Sequence, residues 1–560
     1  MMSAYRVYLL VLALSATLPP AVGADSAVFD GFRYTGRDTV FEDPLEPGHY
    51  RNPVLAGFYP DPSITRRGPD YFLTTSSFAW WPGLPVFHSR DLVHWRRIGH
   101  ALTRRAQLTF ENGQGISRGI FAPTIRHHDG RFWIITTDVD GIGNFFITAE
   151  DPAGPWSDPV RLPQIDGIDP DLFFDDDGRA WLAHNGPPAG EPRYEGHRAI
   201  WLWEFDAQRG TVVEGSGRII VDGGVDIARQ PIWIEAPHLY KVDGWYILSC
   251  AEGGTGENHS QVVFRTRDLG EPFEPYANNP ILTQRDLDPE RPHPVTSTGH
   301  ADFVQTPAGD WWAVFLGVRP WDDRHHNTGR ETFLLPVHWR DGWPHILPAG
   351  APVPAQAPRP ALDATAAGIP PQTGNFVWRD DFDQPQLDLE WLRVRTDPED
   401  WVTLRPATGQ IELQALPRTL ATRAQPAFLA RRQQHQRFEA AANLRLPLDP
   451  GVSAGIAGFQ SSDHHYFLGV RTVESGYEAF VEATRDGVTT VLARREFGGN
   501  PGAVELTLSQ RGATIDFHLA PEGAEPLALL RGADAALLST QVAGGFVGAM
   551  LGIHARSESP

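Results

Sequence analysis

The chain has 560 residues, 48 of them Lys or Arg and 69 Asp or Glu, so its formal charge is −21. That balance excludes a phosphate-tracking surface, which needs clustered cations, and 41 % hydrophobic with 21 % charged residues excludes a disordered chain. The length predicts about two to four domains, and 55 Gly, 49 Pro and 18 Trp with few long periodic stretches predict an all-β protein.

The N-terminus carries one cation, Arg6, then an apolar run from Val7 to Leu14, then the small residues Val22-Gly23-Ala24. This pattern predicts a signal peptide over 1–24, cut after Ala24, and a protein that is secreted or periplasmic. The apolar run is shorter than the ~20 residues a membrane span needs, so no membrane association is expected after cleavage. Cys250 is the only cysteine. An exported chain with one cysteine has no intrachain disulfide and must draw its stability from large cores.

Residues 25–347 contain a recurring unit. Five times a Gly- or Asp-containing turn introduces an aromatic strand, at Tyr71-Phe72, Phe132-Trp133, Trp181, Trp245-Tyr246 and Trp311-Trp312. Roughly ten residues before each lies a second element: Asp61-Pro62-Ser63-Ile64, Ala122-Pro123-Thr124-Ile125, Asp169-Pro170-Asp171-Leu172, Ala236-Pro237-His238-Leu239 and His300-Ala301-Asp302-Phe303. Repeats of this length built from short strands predict a five-bladed β-propeller. A Pro/Ala-rich stretch then opens a semi-rigid linker over 348–372. Beyond it, residues 373–560 alternate apolar and polar positions, as in Val504-Glu505-Leu506-Thr507-Leu508, and Asp486-Gly487 marks a hairpin. These predict a β-sandwich of jelly-roll type.

In a propeller, equivalent positions of successive blades form a ring around one axis. The alignment puts Asp61, Asp169 and His300 at one inner position, with Glu235 one residue before its counterpart, Ala236. Three carboxylates facing one channel are costly, because like charges crowd and desolvate one another; a lining chosen for stability alone would be apolar. Two carboxylates flanking a sugar linkage are the machinery of glycoside hydrolysis, one protonated to donate and one ionised to activate water. Pro231-Ile232-Trp233-Ile234 supplies an apolar setting that favours a neutral Glu235.

The blocks Asn52–Ile64, Gly119–Ile125, Gly167–Phe174, Ile234–Tyr240 and Asn327–Phe333 resemble, in order, the signature blocks of glycoside hydrolase family 43. The segment Ala430-Arg431-Arg432-Gln433-Gln434-His435 resembles the concanavalin-like sandwich appended to the family's β-xylosidases. Two positions depart mildly: Phe121 stands where the family often has Trp, and Ala236 where Gly is common after the acid. The resemblance implies an inverting enzyme in which Asp61 is the general base, Glu235 the general acid, and Asp169 the residue that orients the acid and raises its pKa. It further implies that Arg330 hydrogen-bonds substrate, that Thr255 lies in a pocket loop, and that His300 stands near the channel, next to substrate or to a divalent cation such as calcium; no cofactor is expected to be required. Trp80, Trp81 and Phe121 are candidate stacking platforms for a sugar ring. The expected activity is release of xylose from the non-reducing ends of β-1,4-xylo-oligosaccharides. The alternatives are α-L-arabinofuranosidase action on arabinoxylan and, less in keeping with three retained carboxylates, non-catalytic glycan binding. A nucleic-acid partner is not expected, and the sequence leaves the oligomeric state open.

Overall fold

A computed structural model describes residues 25–110, 113–363, 367–396, 400–499 and 501–558; the expected signal peptide lies outside them. Five small antiparallel sheets follow one another along the chain. Their first strands are Ser63–Arg67, Thr124–His128, Ile168–Phe174, Glu235–Val242 and Thr296–Gln305. Each of these pairs with the aromatic strand that the sequence places after the turn: Asp70–Thr74, Arg131–Asp138, Ala180–Gly186, Trp245–Glu252 and Trp311–Val318. The fold is a five-bladed propeller followed by a β-sandwich, as the repeat and the alternation predict.

The ring closes between its two ends. Asn52 Nδ2 donates to Leu334 O at 3.0 Å and its Oδ1 accepts from Leu334 N at 3.0 Å, tying the segment before blade one to the third strand of blade five. On the axis, the first strands meet in a buried polar knot. Arg126 from blade two bridges Asp171 of blade three at 2.7 Å and Asp302 of blade five at 2.8 Å. Asp302 also accepts from Ser63 of blade one and Tyr240 of blade four, each at 2.6 Å. Every blade contributes, and each buried charge has partners, which such groups require.

The sandwich consists of two eight-stranded sheets around a core that includes Phe29, Trp391, Ile456 and Phe517. Two features redraw the expected boundaries. Ser26–Gly36, assigned above to the propeller, pairs with Phe376–Asp380, Gln410–Gln414 and Arg437–Arg445 inside one sandwich sheet. Its Phe29, Phe32 and Tyr34 are buried, the three-residue step from Phe29 to Phe32 falling at a register shift in the pairing, and a strand with one such apolar face must find a core. The Pro-rich stretch, in turn, is packed against the propeller: Gln356–Pro358 pairs with His49–Arg51, and Val353 and Ala357 are buried.

Trp80–Trp81, in the propeller, forms the edge strand of the other sandwich sheet by pairing with Leu392–Val394. Nearby, Arg432 Nε donates to Phe58 O at 2.6 Å and Gln434 Nε2 to Ala56 O at 3.0 Å. The sandwich thereby grips the Ala56–Tyr59 loop immediately ahead of Asp61.

Candidate active site

The first strands of blades three, four and five carry a register shift at the inner position, between Ile168 and Asp171, Glu235 and His238, and Gly299 and Asp302. At or beside each shift one residue has left-handed backbone: Asp169 (φ 55°), Ala236 (φ 50°) and His300 (φ 57°). Asp61 has the same conformation, at φ 53°. A bulge of this kind re-aims a side chain out of the alternating strand pattern, and a left-handed non-glycine residue is uncommon enough to mark a site. Here it brings Asp61, Asp169, Glu235 and His300 to one cavity of about 560 Å³. Four of the five aligned positions therefore share backbone geometry as well as position, Ala122 of blade two being the exception.

The three carboxylates are buried, with residue exposures of 4 % for Asp61, 7 % for Asp169 and 8 % for Glu235, but their surroundings differ. Asp61 accepts hydrogen bonds from Arg330 Nη1 at 2.5 Å and Ser76 Oγ at 2.5 Å. Asp169 accepts from the backbone N–H of Ala236 at 3.2 Å and faces His300 Nε2 at 3.7 Å. Glu235 is pushed up to about 8, first by burial, then by the charges of Asp169 and Asp61, against the opposing pull of His300 and Arg330. Burial alone would lower His300, but Asp169 and Asp61 outweigh it and hold the imidazole above its ordinary value. The site therefore pairs an acid pushed up to about 8 with a second carboxylate held by a guanidinium and a hydroxyl. That combination can protonate a leaving oxygen and deprotonate a water.

Of the candidate platforms and contacts, Phe121, Thr255, His300 and Arg330 line the cavity. Arg330 Nη1 also lies 3.3 Å from Thr255 Oγ1, and its Nε is buried without a protein partner, leaving a donor for a ligand. Trp80 and Trp81 do not line it. Trp80 packs edge-on against Phe459 of the sandwich and Trp81 against Phe110, because their strand is drawn into the sandwich sheet. The apolar setting expected around Glu235 is also only half right: Ile234 is buried, whereas Ile232 and Trp233 are 49 % and 42 % exposed.

Several lining residues escaped the sequence reading. Phe78 and Phe546 stack with centroids 6.1 Å apart, and Phe121 meets Phe78 at 5.2 Å and Phe546 at 6.0 Å. Phe78 stands in the same aromatic block as Trp80, so its type was a signal. Phe546 comes from the sandwich and had none. Asn185 also lines the cavity; its Nδ2 donates to Ile234 O at 2.6 Å, steadying the approach to Glu235, while its Oδ1 is buried without a partner.

For a cation near His300, the fit to a directly ligated ion is poor. Among the described residues no group of three or more His, Cys, Asp or Glu side chains is arranged to hold one. His300 Nδ1 is buried without a protein partner, which suits a water or a hydrated ion.

With this geometry in place, the family follows from comparison with known proteins. Residues 50–344 match the model for glycosyl hydrolases family 43, and residues 379–560 match the β-xylosidase C-terminal concanavalin A-like domain. The chain belongs to glycoside hydrolase family 43. It is 36 % identical to a xylosidase/arabinosidase of Butyrivibrio fibrisolvens over 90 % of this chain and 95 % of that one. It is 34 % identical to a non-reducing end α-L-arabinofuranosidase of Bacteroides ovatus, over 90 % and 91 %. Among solved structures, a GH43_12 retrieved from a capybara gut metagenome superposes with a TM-score of 0.90 at 37 % identity, covering 96 % of this chain and all of that one. A xylan β-1,4-xylosidase from Bacillus halodurans superposes with a TM-score of 0.80 at 31 % identity, covering 91 % and 97 %. This family 43 chain is thus a glycoside hydrolase of the xylosidase/arabinosidase group.

Proposed function

We propose that this family 43 hydrolase is an exo-acting, inverting β-1,4-xylosidase. In this reading Glu235 protonates the leaving oxygen, Asp61 takes a proton from the attacking water, and Asp169 positions Glu235 and keeps it protonated. The observation that carries the reading is the unequal treatment of two buried carboxylates: Glu235 pushed up to about 8, and Asp61 held by Arg330 and Ser76. Water loses its proton to Asp61 as its oxygen bonds to the anomeric carbon. The glycosidic bond breaks, and its electron pair takes the proton of Glu235. Phe546 packs on Phe78 at one wall of the cavity, which supports a closed pocket that accepts a chain end rather than an internal linkage. Arg330 Nε and Asn185 Oδ1 would meet sugar hydroxyls, satisfying polar atoms that are otherwise orphaned. Any cation would be held through water at His300, and no step runs through it. Export from the cytoplasm, through the expected signal peptide, belongs to the same reading.

A second reading, α-L-arabinofuranosidase, draws support from the relatives named for that activity. The test is hydrolysis of xylobiose followed by NMR. Initial release of α-xylose from the β-linkage, abolished in Glu235→Gln, is the expected result. Initial release of β-xylose would refute inversion, and turnover of arabinofuranosides far above that of xylobiose would favour the second reading.

A further inference from the structure

The mouth of the pocket holds an aromatic side chain that the proposed chemistry does not use. Trp233 lines the cavity two residues before Glu235, yet it is 42 % exposed where the carboxylates are nearly covered. Its neighbour Ile232 is 49 % exposed. A large apolar pair left in water beside a polar cavity calls for a ligand to cover it.

Trp233 is also held in place. Its backbone is left-handed, at φ 46°, a conformation costly for an aromatic residue unless its surroundings impose it. They do so from both neighbouring blades. Trp233 N donates to Gly196 O at 3.0 Å, and Gly253 N donates to Ile232 O at 2.9 Å. Tyr194 Oη donates to Pro231 O at 2.9 Å and stacks on His197, which in turn meets Asp222 at 2.8 Å. The indole lies close to two glycines. A Cβ on Gly196 would come within 3.5 Å of Trp233 Cδ1 and Nε1, and one on Gly254 within 3.7 Å of Cε3. Both glycines have positive φ, so the indole rests against bare backbone that no other residue would readily replace. A fixed, partly solvated indole is the chemistry that receives the C–H face of a sugar ring.

The position says which ring. The acid must sit beside the leaving oxygen, so the leaving sugar lies on the Glu235 side of the cut and towards solvent. Phe78, Phe121 and Phe546 wall the cavity elsewhere. We infer that Trp233 is the platform for the leaving-group sugar, the residue just beyond the cleaved bond, and so sets the preference for a glycan over a small leaving group. The inference rests on the proposed glycosidase chemistry and adds the residue that recognises its second sugar.

The test compares xylobiose, which fills both positions, with β-xylosyl fluoride, which leaves the second one empty. Trp233→Ala is expected to lower kcat/KM for xylobiose roughly three- to tenfold, mostly through KM, and to leave the fluoride within twofold of wild type. Trp233→Phe is expected to recover most of the loss. The alkaline limb of the xylobiose pH profile is expected to stay in place, since the platform acts on the sugar and not on Glu235. An unchanged xylobiose KM in Trp233→Ala would overturn the inference. Equal losses on both substrates, or a displaced alkaline limb, would do the same by showing that Trp233 shapes the catalytic centre. Failure of the xylosidase reading would look different: wild-type enzyme would leave xylobiose intact and cleave arabinofuranosyl-xylobiose. The same comparison on that substrate, with arabinofuranosyl fluoride, then decides the platform.

Discussion

Asp169→Asn isolates the electrostatic design of the site, because it removes one charge and keeps the shape. The carboxylate of Asp169 touches the N–H of Ala236, the residue after Glu235, at 3.2 Å, so its charge acts on Glu235 from close range. A unit charge about 6 Å away, at an effective dielectric of about 20, is worth about 3 kcal/mol, or about 2 pH units. Part of this is returned. His300 faces Asp169 at 3.7 Å and owes much of its raised pKa to it, so the imidazole loses charge in the variant and pulls Glu235 down less. The net expectation is a fall of about 1 pH unit in the pKa of Glu235, from about 8 towards 7. Burial, the largest contribution, stays and keeps the group above an ordinary carboxylic acid. The assay is kcat/KM for xylobiose against pH, whose alkaline limb reports loss of the acid's proton in the free enzyme. An alkaline limb that stays put, or moves upward, would refute the claim that Asp169 holds the proton on Glu235.

Two further outcomes follow from the geometry. Phe546→Ala removes the ring that stacks on Phe78 and that also borders a neighbouring cavity shared by Thr255 and Arg330. Xylohexaose is then expected to yield xylobiose as well as xylose; a xylose-only product pattern would show that Phe546 does not close the pocket. Arg126→Met leaves Asp171 and Asp302 buried without their shared cation. A loss of about 3–5 kcal/mol is expected in chemical denaturation near neutral pH, where Asp302 is ionised because Arg126 and His238 hold its carboxyl far below the usual range. A change of under about 1 kcal/mol would mean that the knot does not fasten the blades.

Much of the site was legible because a propeller repeats. Aligning five short elements put Asp61, Asp169 and His300 at one inner position, and a shared left-handed backbone is what realises that alignment. Glu235, one residue off, reaches the same cavity because the register shift follows it. Within the propeller, Ile232 and Trp233 turn out to be exposed and Asn185 joins the lining unread; the other failures lay between domains. Trp80 and Trp81 read as sugar platforms by residue type, but an unpaired sheet edge in the sandwich claimed them. Phe546 could not be read, since nothing in the Gly544-Gly545-Phe546 loop says which surface it meets. Ser26–Gly36 reads as part of the nearer domain along the chain, because the three-residue step from Phe29 to Phe32 interrupts the alternation that marks the sandwich strands. Sequence periodicity fixes which face of a strand is buried but not against what.

That first strand has a consequence for how the molecule can be divided. The chain enters one sandwich sheet at Ser26, leaves it after Gly36, winds the whole propeller, and re-enters the same sheet at Phe376 beside the strand it left. Topologically the catalytic body is an insertion within the other domain. A cut in the Pro-rich stretch thus yields two damaged halves, one with a stray strand and the other with an open seam where Phe29, Phe32 and Tyr34 belonged. Removing the propeller while keeping that sheet's strands together requires excision at both Gly36 and Phe376, with a short bridge joining the ends left behind, and it still strips the other sheet of its Trp80–Trp81 edge.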